Sequence, residues 1–494
     1  LGLLLSLAGG AGCRPGRTVT AGGDGAPAAD ILAPVADLAP ARDSARAADL
    51  GPPRPDAAGL PPDLRPAYKP GWPFVAGGAS YDALNDVALD ARGNVYVAGY
   101  YSQTVSFGEV LLPAATGDLD GLVARLSPAG AVQWVRAFPA TYSAWVEAVA
   151  ADGAGGCVVG GFFEGAATFG SFSAKTAPGK ANTAFVARLD SAGKVDWLQV
   201  DEGPAVASYV QDLAVDGKGN VFFAGHTLEG GARLGGVTSP AHGWEDILVG
   251  SVTAPGKVRW LLGWGGINYE EANGVAVDSA GDAYVTGYFS AGATLGTFTA
   301  TAVGTRLFVA RLDSKGRARW VARSTGQTAI GEKIRVDSHG SSHVAARVMG
   351  TTQFGSHALT SSGGVDMAVV RVDSGGRFSA AIGIGGRTHE TIKDLAPVSG
   401  GGYVLAGYFQ EWGYFGSTSC RTIDYSQSHG IAAVRLDARG QITAVACPAD
   451  GFATAAVLDP GGRAFLTGAF SGAAGFGSAI RHAAGKTDLA VWRW

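Results

Sequence analysis

The chain has 494 residues, of which 47% are apolar and only 16% charged, with 77 glycines and a formal net charge of −4. Length and apolar fraction permit large buried cores, and the glycine content suits a turn-rich all-β protein. The balanced charge, without a basic stripe, argues against nucleic acid as a partner, and no apolar run reaches membrane-spanning length.

In chain order, Leu1 to Leu7 is apolar and is followed by Ala8-Gly-Gly-Ala-Gly-Cys13. This resembles the end of a bacterial lipoprotein signal over residues 1–13, which implies Cys13 as the lipid-bearing residue. The alternative is an ordinary secretory segment with a chance cysteine. Arg14 is not the acidic residue associated with inner-membrane retention in that class, so the resemblance implies an exported protein of the outer membrane or cell surface. Residues 14–66 are rich in Ala, Pro, Gly and Asp with almost no aromatic side chain, and cannot bury enough apolar surface to order themselves. They read as a tether, spanning on the order of 40 Å as a flexible coil. Membrane association is expected through the lipid alone.

Residues 67–494 repeat one pattern seven times. The Gly of Asp-x-x-Gly returns at Gly93, Gly155, Gly219, Gly281, Gly340, Gly401 and Gly462. Its acid is Asp90, Asp152, Asp216, Asp278, Asp337 and Asp459, with Val398 in the sixth repeat. A Phe-Gly or Leu-Gly loop follows at Gly108, Gly170, Gly235, Gly296, Gly355, Gly416 and Gly477. Then comes a strand carrying Arg125, Arg188, Arg311, Arg371, Arg435 or Arg493, with Ser251 in the third repeat, and a Trp strand at Trp134, Trp197, Trp260 and Trp320.

Asp opening a turn and Gly three residues later is hairpin chemistry: Asp accepts local amides and Gly takes a positive φ. Around it the period is two, as in Val87 and Leu89 alternating with Asp86 and Ala88. Four strands per repeat and seven repeats predict an all-β, seven-bladed β-propeller of antiparallel blades. The seventh repeat ends at Trp494 without a Trp strand, and Trp72-Pro-Phe-Val-Ala-Gly-Gly78 matches Trp260-Leu-Leu-Gly-Trp-Gly-Gly266. The N-terminal segment is therefore expected to complete the last blade and remove an open edge. The fifth repeat has Ala346 where the others have Gly, so an irregular second strand is expected there.

Units such as Asp86-Val-Ala-Leu-Asp-Ala-Arg-Gly-Asn-Val-Tyr-Val-Ala-Gly99 and Phe185-Val-Ala-Arg-Leu-Asp-Ser-Ala-Gly193 resemble the bacterial β-propeller repeat called SBBP. The resemblance implies a secreted or surface-exposed bacterial protein and carries no catalytic residues, because the recurring positions are structural. A second resemblance, of Ala187-Arg-Leu-Asp-Ser-Ala-Gly-Lys-Val-Asp-Trp197 to the tryptophan-docking repeat of quinoprotein propellers, departs in spacing by one residue. A turn followed by a Trp packed between blades accounts for it, and no cofactor is expected.

Cys157 reads as a buried small thiol. Cys420 and Cys447 fall on one predicted rim, where a disulfide and two free thiols are both open. No metal site is expected: the histidines are scattered, and the pair His339 and His343 straddles a turn. There is no His-Glu-x-x-His, Gly-x-Ser-x-Gly, phosphate loop or EF-hand pattern.

Propeller ligands sit on the rim where strand four hands over to the next blade. The sequence places Trp145, Glu147, Tyr209, Trp244, Tyr269, Glu270, Glu271, Glu332, His389, Glu390 and Trp412 there. Aromatic residues with carboxylates suit a glycan or a protein partner. A polar set recurs five residues before the turn Asp, at Asn85, Glu147, Gln211, Asn273, Glu332, Lys393 and Thr454, and is expected to line a solvated channel. The favoured function is a non-enzymatic, monomeric surface lipoprotein binding through one rim. The alternative is a hydrolase or lyase using acids at the channel mouth, such as Glu147 and Glu332.

Overall fold

The computed structural model describes residues 71–299, 304–422, 429–476 and 479–494. The chain divides into units of residues 1–54 and 55–494, and all described residues belong to the second. The signal-like segment, Cys13, the tether of 14–66 and Gly477 lie outside the described residues. Among those described, every regular element is a β-strand.

Each repeat makes a four-stranded antiparallel sheet. In the first these strands are Asp82–Leu89, Val95–Tyr101, Asp120–Leu126 and Val132–Phe138. The last two repeats join through a single bridge between Gly430 and Asp450. In the seventh, the fourth strand is Phe74–Ala76, antiparallel to Asp488–Arg493 with Phe74 opposite Val491. The first strand of each sheet lies against the first strand of the next, and Asp450–Leu458 of the seventh lies against Asp82–Leu89 of the first.

The turn chemistry is as expected. Asp90 Oδ1 accepts the amides of Arg92 and Asn94 at 2.9 Å, and Gly93 sits at φ 78°. In the sixth repeat Val398 offers no such carboxylate. There Gly400, Gly401 and Gly402 all take positive φ and the Gly401 amide still reaches Val398 O. Glycine freedom replaces the side-chain acceptor.

Every first strand also carries a β-bulge at one place, leaving an extra residue at Asn85, Glu147, Gln211, Asn273, Glu332, Lys393 and Thr454. The polar set read from the sequence is the set of bulge residues. A glycine opposes the bulge in six repeats, because the bulged backbone comes too close for a side chain: a Cβ on Gly407 would stand 2.0 Å from Thr391 O. In the fifth, Ala346 opposes Gly331 instead. The expected irregularity is present, though beyond Ala346: Ser342–Phe354 is a 13-residue strand that extends past the usual end of the second strand and breaks register between Met349 and Thr351.

The Phe-Gly loop also needs correction. In the first repeat it is a hairpin of its own, Val105–Phe107 with Val110–Leu112, turning at Gly108 with φ 63°. Phe107, Phe169, Leu234, Leu295, Phe354, Phe415 and Phe476 are buried, so this position anchors the hairpin to the core. In the fifth repeat the hairpin merges with the main sheet.

The tryptophans join neighbouring sheets. Nε1 of Trp134, Trp197, Trp260 and Trp320 donates to Ser191 O, Ala254 O, Ser314 O and Ser374 O in the following repeat. Trp72 Nε1 makes the equivalent bond to Pro128 O of the first repeat at 3.1 Å. This structural duty accounts for the repeated Trp. Cys420 and Cys447 lie 6.2 Å apart at Cα with their sulfurs in bonding contact, and Cys157 is buried.

Candidate functional site

The beginnings of the first strands meet the ends of the second strands and the beginnings of the third, so these segments gather at one mouth of the assembly. Side chains there form a continuous run of rings across three repeats. Tyr100 lies 4.1 Å from Trp145, Trp145 stacks on Phe162 at 5.8 Å, Phe162 meets Tyr209 at 4.8 Å, and Tyr209 stacks on His226 at 4.5 Å, centroid to centroid. Trp145, Phe162 and Tyr209 are half-buried. Trp145 and Tyr209 combine an apolar ring face with a polar edge, Phe162 adds a wholly apolar ring, and Asn182 Nδ2 donates to Tyr209 Oη at 2.9 Å.

The run ends in a buried polar group. His226 Nε2 lies 3.3 Å from Glu245 Oε1, and Tyr288 Oη donates to Glu271 Oε1 at 2.7 Å. His226, Glu245 and Glu271 place one ligating atom each within 4.8 Å of one another. Burial, then the Glu271 carboxylate, pushes Glu245 up to about 10, and burial holds the His226 imidazole below its ordinary range. Burial and the same carboxylate raise the Tyr288 phenol.

Beyond it stands a cationic group. Arg347 and Lys393 both pair with Glu332, the latter at 3.2 Å. Burial would raise Glu332, but these two cations outweigh it and hold the carboxyl below its usual range. Glu147, also a bulge residue, is pushed up to about 7 by burial, against the pull of Lys393 and Lys333. One residue further along the first strands, Lys333 Nζ lies 2.8 Å from Asp212 and 3.8 Å from Asp86, and two residues beyond Lys333, Arg335 lies 2.8 Å from Asp394. These three aspartates each accept a backbone amide from the next repeat, at Val149, Val275 and Ala456.

Of the eleven residues expected on the rim, Trp145 and Tyr209 join the aromatic run, Glu271 joins the His226 group, and Glu332 and Glu147 belong to the charged group. Glu270 and Glu390 are a correction. Both are buried and committed to backbone, Glu270 to the amides of Gly266 and Ser290 and Glu390 to those of Gly386 and Tyr414, so they brace turns. Burial pushes Glu270 up to about 7. Trp244 and Tyr269 are more than half exposed, and Tyr269 bridges to Glu245 beside Trp244. Trp412 lies parallel to Tyr414 under Arg421, and His389 sits at the turn before Glu390. Of the histidine pair at the fifth turn, His343 bonds Tyr403 at 2.8 Å and Asp337 at 3.3 Å, a buried structural role.

Sequence reasoning missed Phe162, His226, Tyr288 and Arg347. All four follow the second-strand residue that opposes the bulge, namely Gly161, Gly225, Gly287 and Ala346. Aligning the repeats on that residue gives a column of Tyr100, Phe162, His226, Tyr288, Arg347, Tyr408 and Ala469, whose variety marks a position not fixed by the fold. Glu245, at the start of a third strand, had no comparable signal.

No family model matches this chain, and no curated protein matches its sequence. Among solved structures it is similar to the WD40 β-propeller domain of Doa1, at 8% identity over 86% of this chain and 96% of that one, with a TM-score of 0.43. It is similar to Sqt1 from Chaetomium thermophilum at 10% identity, over 86% and 99%, with a TM-score of 0.39. It is also similar to XC5397 from Xanthomonas campestris, described as a gluconolactonase, at 12% identity, over 87% and 99%, with a TM-score of 0.32.

Proposed function

We propose that residues 71–494 form a closed seven-bladed β-propeller of SBBP-type repeats whose aromatic mouth binds a glycan or protein partner without turning it over. Closure is supported by Asp450–Leu458 lying against Asp82–Leu89 and by Trp72 repeating, between the seventh and first repeats, the bond that Trp134, Trp197, Trp260 and Trp320 make elsewhere. The observation that carries binding is the run Tyr100, Trp145, Phe162, Tyr209 and His226. Such a surface offers apolar ring faces to sugar C–H groups or to peptide side chains, with carboxylates and Arg347 alongside for polar groups. Export, lipidation at Cys13, a tether over 14–66 and display of a monomer at the outer membrane complete this reading. An oxidising compartment suits a bridge between Cys420 and Cys447.

A hydrolase or lyase is the second reading. Glu147 lies near neutrality while Glu332 is held ionised, and two carboxyl groups whose environments push them apart are the usual setting for acid and base roles. A glycan array probed with the full chain, followed by overnight incubation with each bound glycan, separates the two. Binding weakened at least tenfold by Trp145→Ala or Tyr209→Ala, with the glycan recovered intact, supports the binder. Loss of glycan that stops in Glu147→Gln establishes the enzyme instead.

A further inference from the structure

We propose that His226, Glu245 and Glu271 form a binding site for one divalent transition metal of the zinc class. Two carboxylates and an imidazole meet in a site where all three residues are at least nine-tenths buried: His226 and Glu245 are 7% exposed and Glu271 is 5% exposed. Two buried carboxylates in contact repel unless a proton or a cation sits between them. The nearby cation, Arg347, is already paired with Glu332, so in the metal-free site a proton on Glu245 relieves the repulsion, and a bound cation would take that proton's place. Among the described residues, His226 Nδ1 has no hydrogen-bond partner, and the ring is oriented by stacking on Tyr209 with Nε2 facing Glu245.

The geometry suits a metal. Tetrahedral ligands about 2.0–2.2 Å from zinc stand roughly 3.3–3.6 Å from one another. The His226 Nε2 to Glu245 Oε1 distance is 3.3 Å, and all three ligand atoms fall within 4.8 Å, so Glu271 needs only a small side-chain adjustment. Tyr288 Oη holds Glu271 Oε1 at 2.7 Å, the outer-shell contact that fixes a ligating carboxylate. One nitrogen and two carboxylate donors favour Zn²⁺ or Mn²⁺ over Ca²⁺ or Mg²⁺, which prefer all-oxygen sets. Three protein ligands would leave a fourth coordination position for water or a ligand's oxygen. The same column in other repeats carries Tyr100, Phe162 and Tyr408, so the histidine is peculiar to the third repeat and not a requirement of the fold.

The test uses the untagged full chain, stripped with a chelator and titrated with Zn²⁺ by calorimetry, and with Co²⁺ by visible absorption. One Zn²⁺ per chain at micromolar affinity or tighter is expected, with a Co²⁺ d–d band and a raised melting temperature. His226→Ala and Glu271→Gln should each weaken binding at least tenfold and remove the band. The absence of saturable binding by the unmodified chain overturns the proposal, which needs no variant to fold. Undiminished binding by a folded His226→Ala/Glu245→Gln double variant overturns it equally. Neither result bears on the glycan array, because the titration contains no partner.

Discussion

At the scale of single residues, the bulge and its facing glycine are the tightest constraint. Gly407→Ala places a methyl against Thr391 O, and overpacking of this kind costs about 1–3 kcal/mol. Urea titration should show a loss of about 2 kcal/mol or more, whereas Ala346→Gly in the fifth repeat should cost under about 1 kcal/mol, since no backbone contact is relieved there. Lys333 is the converse case, a buried cation between Asp86 and Asp212. Lys333→Met leaves those carboxylates unpaired, and breaking a buried pair on one side costs about 3–5 kcal/mol. Burial puts Asp86 at about 6 despite the Lys333 charge, so at pH 5 it takes a proton and the loss should shrink. Equal losses at pH 5 and pH 8 would remove the charge from this explanation. The glycines and turn aspartates were legible in the sequence because a positive φ or an amide-accepting turn admits few residue types. The His226 group was not, because its members come from the second and third strands of one repeat and the first strand of the next, at no recurring spacing.

At the scale of elements, Phe74–Ala76 and Trp72 tie the seventh sheet to the beginning of the chain. Deleting residues 71–78 removes three strand pairings, the Trp72 bond to Pro128 and the packing of buried Phe74 against Phe107 at 4.8 Å. Differential scanning calorimetry of the truncated chain should show a melting temperature several degrees lower and a broadened transition, because an unpaired edge opens separately from the rest. A single transition of unchanged midpoint would withdraw the closing role of this strand. The strand was readable because its Trp and terminal glycines copy another repeat. The short hairpins at the Phe-Gly and Leu-Gly turns are not legible in the sequence, because two to four residues per arm give too short an alternation to recognise.

For the whole molecule, several carboxyl groups near the mouth are displaced upward by burial: Asp82 to about 7, and Asp366 and Asp488 to about 6. Their folded values exceed the unfolded value near 3.8, so the folded protein holds more protons between roughly pH 4 and pH 7. Stability from these groups is present at the acid side of that window and is lost as pH rises through it. The turn carboxylates act oppositely. Against burial, the Asn94 side chain with backbone amides and Arg125 holds Asp90 down, backbone amides with His343 hold Asp337 down, and backbone amides with Arg463 and Arg317 lower Asp459 and Asp313, the last to about 2; the contribution of each disappears as pH falls through its lowered range. Melting temperatures measured from pH 2 to pH 9 should therefore peak near pH 5, and a monotonic rise to pH 8 would contradict this assignment. The repeating architecture was visible at this scale because seven copies average out local ambiguity, whereas the mouth is made of what differs between copies.

The pairing of Phe74–Ala76 with Asp488–Arg493 has a consequence in time. A nascent chain emerging from the ribosome exposes the earlier strand long before its partner has been made, so the final sheet assembles only after translation has passed residue 493. Six sheets can form on the way, but the last waits. A chain interrupted before residue 488 would carry two bare edges ready to pair with another copy, which makes synthesis through this strand a condition for staying free of aggregates.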